Sequence, residues 1–111
     1  PKWEKNFLNI CGEKFSGKTH LVNIFMKKFG GFKIESKELN ENILTKIKVH
    51  QNIILENIDK NINEKLFYSL INIIDQDNKY LITTSNIEIS NISLLLAPSS
   101  IVRYSIRLKS R

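Results

Sequence analysis

The sequence has one cysteine, three arginines and no long apolar run. Because Cys11 cannot form an internal disulfide, we expect a protein of the reducing cytoplasm, with Cys11 as an inert core thiol. No apolar stretch approaches the ~20 residues of a membrane span, and no secretory signal opens the chain. His20 and His50 lack partners at metal-ligand spacing, and no Ser/His/Asp or Cys/His arrangement indicates nucleophilic catalysis.

The length of 111 residues suits one domain, 1–111. Because the chain opens at Pro1 rather than methionine, we expect a fragment of a longer protein. The net charge of +6 would suit work near nucleotides or nucleic acid. The lysines are scattered, however, so the charge alone supports DNA binding only weakly. The three arginines cluster near the end of the sequence, at Arg103, Arg107 and Arg111. They form either a row that faces phosphate or a partner, or a chance cluster on a surface strand.

A glycine-rich segment carries the strongest motif. Gly12 to Thr19 read G-E-K-F-S-G-K-T, which matches the phosphate-binding pattern G-x-x-x-x-G-K-S/T without a mismatch. The glycines allow the backbone N–H groups to approach phosphate oxygens, Lys18 would contact the β- and γ-phosphates, and the Thr19 hydroxyl would bind magnesium. The predicted nucleotide-binding residues are Gly12, Glu13, Lys14, Phe15, Ser16, Gly17, Lys18, Thr19 and His20.

The flanks of this motif are those that a P-loop requires. Phe7–Cys11 is a short apolar run that predicts a strand, and Lys18–Phe29 has helical periodicity. A strand, a glycine loop and a helix in this order favour a P-loop over a chance turn. The apolar face of the predicted helix comprises Leu21, Val22, Phe25, Met26 and Phe29.

The rest of the chain alternates apolar strands with amphipathic helices. This alternation predicts an α/β domain with a parallel sheet and helices on both faces. The run I-I-L at residues 53–55 is expected in a strand that is covered on both sides. The further predicted elements are a strand at Phe32–Glu35, a helix at Ser36–Ile47 capped by Ser36, a strand at Asn52–Ile58, a helix at Asn63–Asp75, a strand at Tyr80–Thr84 and a fifth strand at Val102–Leu108.

Polar residues end two of the predicted strands. Glu56 follows an apolar run and is the candidate that would hold magnesium together with Thr19, although a surface glutamate is the competing interpretation. Asn57 follows where hydrolysing P-loop proteins have a second acid. Its amide can orient water but cannot accept a proton, which favours nucleotide binding over fast turnover. Asn86 could reach a γ-phosphate or the attacking water, unless it belongs to an ordinary turn.

These segments together resemble the AAA+ core of the bacterial replication initiator DnaA and its regulatory homologue Hda. The resemblance implies a P-loop NTPase fold with a five-stranded parallel sheet of order 5-1-4-3-2. It also implies ATP or ADP with Mg²⁺ as cofactors and Asn86 as sensor I. The helical lid that carries sensor II and the DNA-binding segment are expected to be absent from this stretch. The matching residues are Trp3, F-L-N-I at 7–10, G-E-K-F-S-G-K-T-H-L at 12–21, I-I-L-E-N-I-D at 53–59 and L-I-T-T-S-N at 81–86.

Within that family, Asn57 favours the Hda-like branch, because initiators resemble D-D here and Hda-like proteins tolerate an acid followed by Asn. The resemblance then implies a cytoplasmic regulator that docks on the DNA polymerase sliding clamp and promotes hydrolysis of DnaA-bound ATP. Its implied partners are DnaA and the clamp, with indirect or weak DNA contact and no membrane, and self-association is left open.

The arginine finger of the family, in an S-R-L/F motif, has two candidate positions. By spacing, residues 99–101 fall at the motif with Ser100 where arginine is expected, which leaves Arg103 as the nearest substitute. Alternatively, L-K-S-R at 108–111 is the motif and Arg111 is the finger, and we would then expect the true fifth strand to lie beyond this fragment. The clean alternation of Val102–Leu108 as a strand favours the first arrangement.

Two other functions compete with the regulator. One is an active ATPase of the initiator or helicase-loader kind that assembles on DNA. The other is a scaffold without nucleotide binding, against which the intact Gly12, Gly17, Lys18 and Thr19 argue. For the regulator, we expect weak intrinsic hydrolysis.

Overall fold

The protein, described by a computed structural model over residues 7–13, 17–86 and 103–108, is an α/β domain built around a parallel sheet. The predicted α/β class with a parallel sheet is therefore confirmed. Strands β1, β4, β3 and β2 lie side by side in the order 1-4-3-2, and β5 pairs in parallel with the other side of β1. The elements are β1 (Phe7–Gly12), α1 (Lys18–Phe29), β2 (Phe32–Glu35), α2 (Glu41–Lys46), β3 (Asn52–Ile58), α3 (Glu64–Gln76), β4 (Tyr80–Ser85) and β5 (Arg103–Leu108), with 3₁₀ turns at Ser36–Glu38 and Ile47–Val49.

Helices cover both faces of the sheet, and an apolar cluster lies under each. Side chains alternate along β3, so that Ile53 and Leu55 pack in the larger cluster with α2 and α3, and Ile54 packs with Val22 of α1. The predicted burial of this strand on both faces is confirmed. The larger cluster contains the buried face of α3, which comprises Phe67, Leu70, Ile71 and Ile74.

The single helix that we predicted over Ser36–Ile47 is wrong. The chain forms a short 3₁₀ turn, becomes extended at Leu39 and Asn40, and only then enters α2. Asn40, rather than Ser36, caps this helix, because its Oδ1 accepts the N–H of Ile43 at 2.9 Å. The Ser36 hydroxyl instead donates to the Asn57 carbonyl at 2.8 Å. A tertiary hydrogen bond to β3 thus replaces the predicted cap.

Other element ends differ from the predictions by one residue. β1 and β4 continue through Gly12 and Ser85, and Asn63 lies before α3 as its N-cap, accepting the Leu66 N–H at 3.0 Å. β5 begins at Arg103, and Val102 lies outside the described residues.

Cys11 is buried at the end of β1, as expected for a core thiol. None of the helices in the described ranges is long and apolar enough to cross a membrane.

Candidate nucleotide-binding site

The P-loop segment joins β1 to α1 at the carboxyl edge of the sheet. Gly17, immediately before α1, has φ 97° and ψ 11°, a left-handed conformation that glycine adopts without the steric cost of a Cβ. Lys18 then begins the helix. The intervening Lys14, Phe15 and Ser16, which we predicted to contact phosphate, lie outside the described residues.

The ammonium group of Lys18 is held by three acceptors. It donates to the Gly12 carbonyl, to the Glu13 carbonyl at 2.9 Å and to Asn86 Oδ1 at 3.1 Å. Only 9% of Lys18 is exposed. Burial lowers the pKa of Lys18 below its ordinary value of 10.5, and the electrostatic influence of nearby Cys11 opposes that effect in part. The motif lysine and the sensor I candidate are therefore in direct contact.

Thr19 and His20 occupy the first turn of α1 and are exposed. The Thr19 hydroxyl is thus open to a ligand at the helix N-terminus. His50 stacks on Phe32 with ring centroids 4.6 Å apart and so has a packing role. In the part of the chain that the structure describes, no three His, Cys, Asp or Glu side chains group closely enough to hold a metal ion.

Glu56, the predicted magnesium acid, is 7% exposed, so it is not the surface glutamate of the competing interpretation. It follows Ile54 by two positions in β3, and strand alternation therefore puts both side chains on the face covered by α1. Its Oε1 lies 3.6 Å from the Lys33 ammonium. A hydroxyl and a carboxylate are hard oxygen donors of the kind that Mg²⁺ takes alongside phosphate and water oxygens, so Thr19 and Glu56 fit that ion.

Asn57 joins three strands at an irregularity in β3. Its φ of 61° is left-handed, a conformation that asparagine tolerates better than most residues, and the register of β3 with β4 shifts here. The Asn57 N–H donates to Thr84 Oγ1 at 2.9 Å, and its carbonyl accepts the Ser36 hydroxyl at 2.8 Å. Its side-chain Nδ2 donates to both carboxylate oxygens of Glu35, at 3.1 and 2.9 Å. Asn57, which we predicted to be catalytic, therefore connects β3 to β2 and β4 by hydrogen bonds.

Asn9 is a fully buried polar residue in β1 that the sequence analysis did not single out. Its Oδ1 accepts the Thr83 hydroxyl at 2.8 Å and the Ser85 hydroxyl at 3.3 Å. These bonds tie β1 to the last residues of β4, immediately before Asn86. A polar residue in the otherwise apolar run F-L-N-I-C was the available signal.

Glu35 was also missed, although it is the last residue of β2, just as Asn86 directly follows β4. The rule that polar residues at carboxyl edges bind ligands could have identified it. Lys33, the partner of Glu56, gave no signal in the sequence because its contact depends on the pairing of β2 with β3.

Two cavities lined by described residues lie along this edge of the sheet. The smaller, of about 330 Å³, is lined by Asn57, Ile58, Asp59, Lys60 and Asn86. The larger, of about 540 Å³, shares Asn57 and Asp59 with it and extends past Glu35 and Lys37. Because Asn86 contacts Lys18, the smaller cavity adjoins the P-loop lysine.

Of the two arginine-finger candidates, Arg103 lies within the described residues, and its backbone is not at this edge. Arg103 begins β5 in register with Phe7, at the amino end of the strands, whereas Lys18 and Asn86 lie at the carboxyl end. A finger acts on the nucleotide of a neighbouring subunit, so this placement leaves the role of Arg103 a prediction. Arg111 and residues 99–101 lie outside the described residues.

No protein-family model and no curated protein matches the chain. Solved structures do match it. A crystal structure of DnaI aligns with a TM-score of 0.70 and 16% identity, over 99% of this chain and 76% of that one. The replication initiator DnaA bound to AMPPCP and single-stranded DNA aligns with a TM-score of 0.70 and 15% identity, over 95% of this chain and 41% of that one. AMPPCP-bound DnaA from Aquifex aeolicus aligns with a TM-score of 0.70 and 15% identity, over 93% of this chain and 41% of that one.

These similarities establish the fold alone: the chain has an α/β core of the kind seen in the DnaA and DnaI structures. The resemblance seen in the sequence is confirmed at that level. The chain spans 41% of the length of the two DnaA structures, so the ligands in those structures describe those proteins and not this chain.

Proposed function

We propose that this chain binds ATP or ADP with Mg²⁺ through residues 12–20. The observation that carries the proposal is the contact of Lys18 with Asn86 Oδ1 at 3.1 Å, at the end of a perfectly matched P-loop sequence. A lysine held among carbonyl oxygens has donors that can turn to phosphate. The AMPPCP bound to the similar DnaA structures supports a nucleotide ligand.

In this proposal, Thr19 and Glu56 hold the magnesium ion and Asn86 senses the terminal phosphate. When bound, magnesium neutralises charge on the phosphate oxygens. Glu56 is held 3.6 Å from Lys33, so the ion has to compete with that ammonium for the carboxylate. Neutralising Lys33 should therefore lower the Mg²⁺ concentration that nucleotide binding requires.

Weak intrinsic hydrolysis is part of the proposal. The Asn57 amide donates to Glu35 at 3.1 and 2.9 Å and has no group that can accept a proton from water. Asp59, the next acid along the chain, accepts the Asn61 N–H at 2.9 Å within its own loop. A general base at the usual position is thus missing from the described residues.

For the cellular role, we propose a regulator of bacterial replication initiation of the Hda kind, which promotes hydrolysis of DnaA-bound ATP together with the sliding clamp. The DnaA-like fold and the pair Glu56–Asn57 support it. The alternative is an initiator or helicase-loader ATPase that assembles on DNA. The net charge of +6 and the single-stranded DNA in one similar DnaA structure favour that alternative.

A nucleotide titration tests the binding proposal. We expect Lys18→Ala to abolish measurable binding of Mg-ATP, whereas Lys37→Ala, which removes an exposed lysine beside the larger cavity, should leave it unchanged. Equal affinity of the wild type and Lys18→Ala would refute the phosphate site.

A DnaA-ATP turnover assay with clamp and DNA tests the regulatory role. Stimulation of turnover supports the regulator. No stimulation, together with steady ATP hydrolysis by the chain itself and DNA affinity that falls steeply with salt, supports the alternative.

A further inference from the structure

We infer that the cavity of about 330 Å³ beside Asn86 receives the terminal phosphate of a nucleoside triphosphate, and that Lys60 is a ligand of that phosphate. This inference rests on the proposed nucleotide site and makes it specific for a triphosphate over a diphosphate. It depends on the orientation of two amides and on one lysine whose charge is not used elsewhere in the described residues.

The amide of Asn86 is oriented by Lys18. An ammonium group can only donate hydrogen bonds, so it selects the Oδ1 of Asn86, which it contacts at 3.1 Å. The Nδ2 group is thereby left as a donor, and within the described ranges it has no hydrogen-bond partner. Asn86 lines the cavity and brings to it an unused donor for a phosphate oxygen.

The amide of Asn57 is oriented in the opposite sense by Glu35. An ionised carboxylate can only accept, so it selects the Nδ2 of Asn57, at 3.1 and 2.9 Å. The Oδ1 of Asn57 is then the atom left to accept a hydrogen bond, for example from a water on the phosphate. The cavity therefore has a donor amide on the β4 side and an acceptor amide on the β3 side.

Lys60 supplies the positive charge. It is exposed, lines the cavity, and forms no ion pair or hydrogen bond with any other residue in the described part of the chain. Its backbone is held in a turn, in which Asp59 Oδ1 accepts the Asn61 N–H at 2.9 Å and the Asp59 carbonyl accepts the Ile62 N–H at 3.2 Å. The turn fixes where the side chain starts, and its ammonium is free to approach an anion.

A terminal phosphate in this cavity would contact the Asn86 amide and the Lys60 ammonium. It would also lie near Lys18, because Lys18 contacts Asn86. A nucleoside diphosphate lacks the γ-phosphate, so Lys60 would add nothing to its binding affinity. The chain should therefore favour triphosphate over diphosphate, and Lys60 should carry part of that preference.

The test is a titration of the chain with AMPPCP and with ADP, each with Mg²⁺. We expect Lys60→Ala to weaken AMPPCP about 10-fold, the effect of one charge-assisted hydrogen bond, and to change ADP less than about 2-fold. Lys60→Arg, which keeps the charge, should recover most of the AMPPCP affinity. Lys37→Ala is the matched control, since it removes the same charge beside the neighbouring cavity.

Equal weakening of AMPPCP and ADP by Lys60→Ala, or no weakening of either, overturns the role of Lys60 and leaves the nucleotide site standing. If the wild type binds neither nucleotide, the proposed function fails and this inference fails with it. The two failures are therefore distinguishable.

Discussion

The Lys18 ammonium lies 3.1 Å from Asn86 Oδ1, although the two residues are 68 positions apart in the sequence. The contact joins the start of α1 to the end of β4. It exists because β1 and β4 are parallel neighbours in register, with Cys11 paired to Ser85, so that both strands end at the same edge. Any phosphate bound by Lys18 would therefore be adjacent to Asn86.

We predict that Asn86→Asp raises stability and weakens nucleotide binding. The new carboxylate would pair with Lys18 and would also repel phosphate, so Mg-ATP affinity should fall at least about 10-fold. Asn86→Ala, which removes the contact without adding charge, should lose only a few-fold. Urea unfolding and nucleotide titration measure the two effects, and equal affinities for the Asp and Ala variants would contradict the proximity of Asn86 to the phosphate.

The stability of the wild type relative to Lys18→Met should rise with pH. Burial lowers the pKa of Lys18 in the folded state below 10.5, so the unfolded chain binds this proton more tightly than the native state does. The cost of burying the charge is present at low pH and is relieved as the pH rises through the folded-state pKa toward 10.5. Urea unfolding of both proteins between about pH 7 and about pH 10 measures the difference. A constant difference would contradict it.

Asn57→Ala should destabilise the fold by about 2 kcal/mol, from a left-handed backbone and the lost hydrogen bonds to Glu35. Asn57→Gly should lose only about 1 kcal/mol, because glycine accepts the backbone conformation. Asn78, with φ 52°, is a matched site at which the structure records no side-chain hydrogen bond. Asn78→Gly should therefore cost nothing in urea unfolding, and a loss equal to that of Asn57→Gly would show that the Glu35 contact contributes no stability.

Asn9→Leu should cost about 3 kcal/mol, since it leaves the buried hydroxyls of Thr83 and Ser85 without this acceptor. Adding Thr83→Val should recover part of the loss, with a coupling free energy of at least about 1 kcal/mol in a double-mutant cycle. Additive losses would mean that the Asn9–Thr83 bond does not contribute to stability.

The elements that the sequence predicted well are those with strong local signals. α1, β2 and β3 have the predicted bounds because each combines a clear apolar period with a glycine or polar boundary. The segment 36–47 was mispredicted because Ser36 bonds to Asn57 of another strand, a contact that no local pattern contains. Asn57 itself was interpreted only as a missing acid, whereas its left-handed backbone also explains an asparagine there.

The amino-acid sequence by itself determined the glycine–lysine loop, the alternation of strands with helices and the polar ends of β3 and β4, because these depend on residues close together along the chain. Only the tertiary structure decided which polar groups meet: Lys18 with Asn86, Asn57 with Glu35, Glu56 with Lys33, and Asn9 with Thr83. Such pairs depend on strand order and register, and register is set by how the whole sheet packs against its helices.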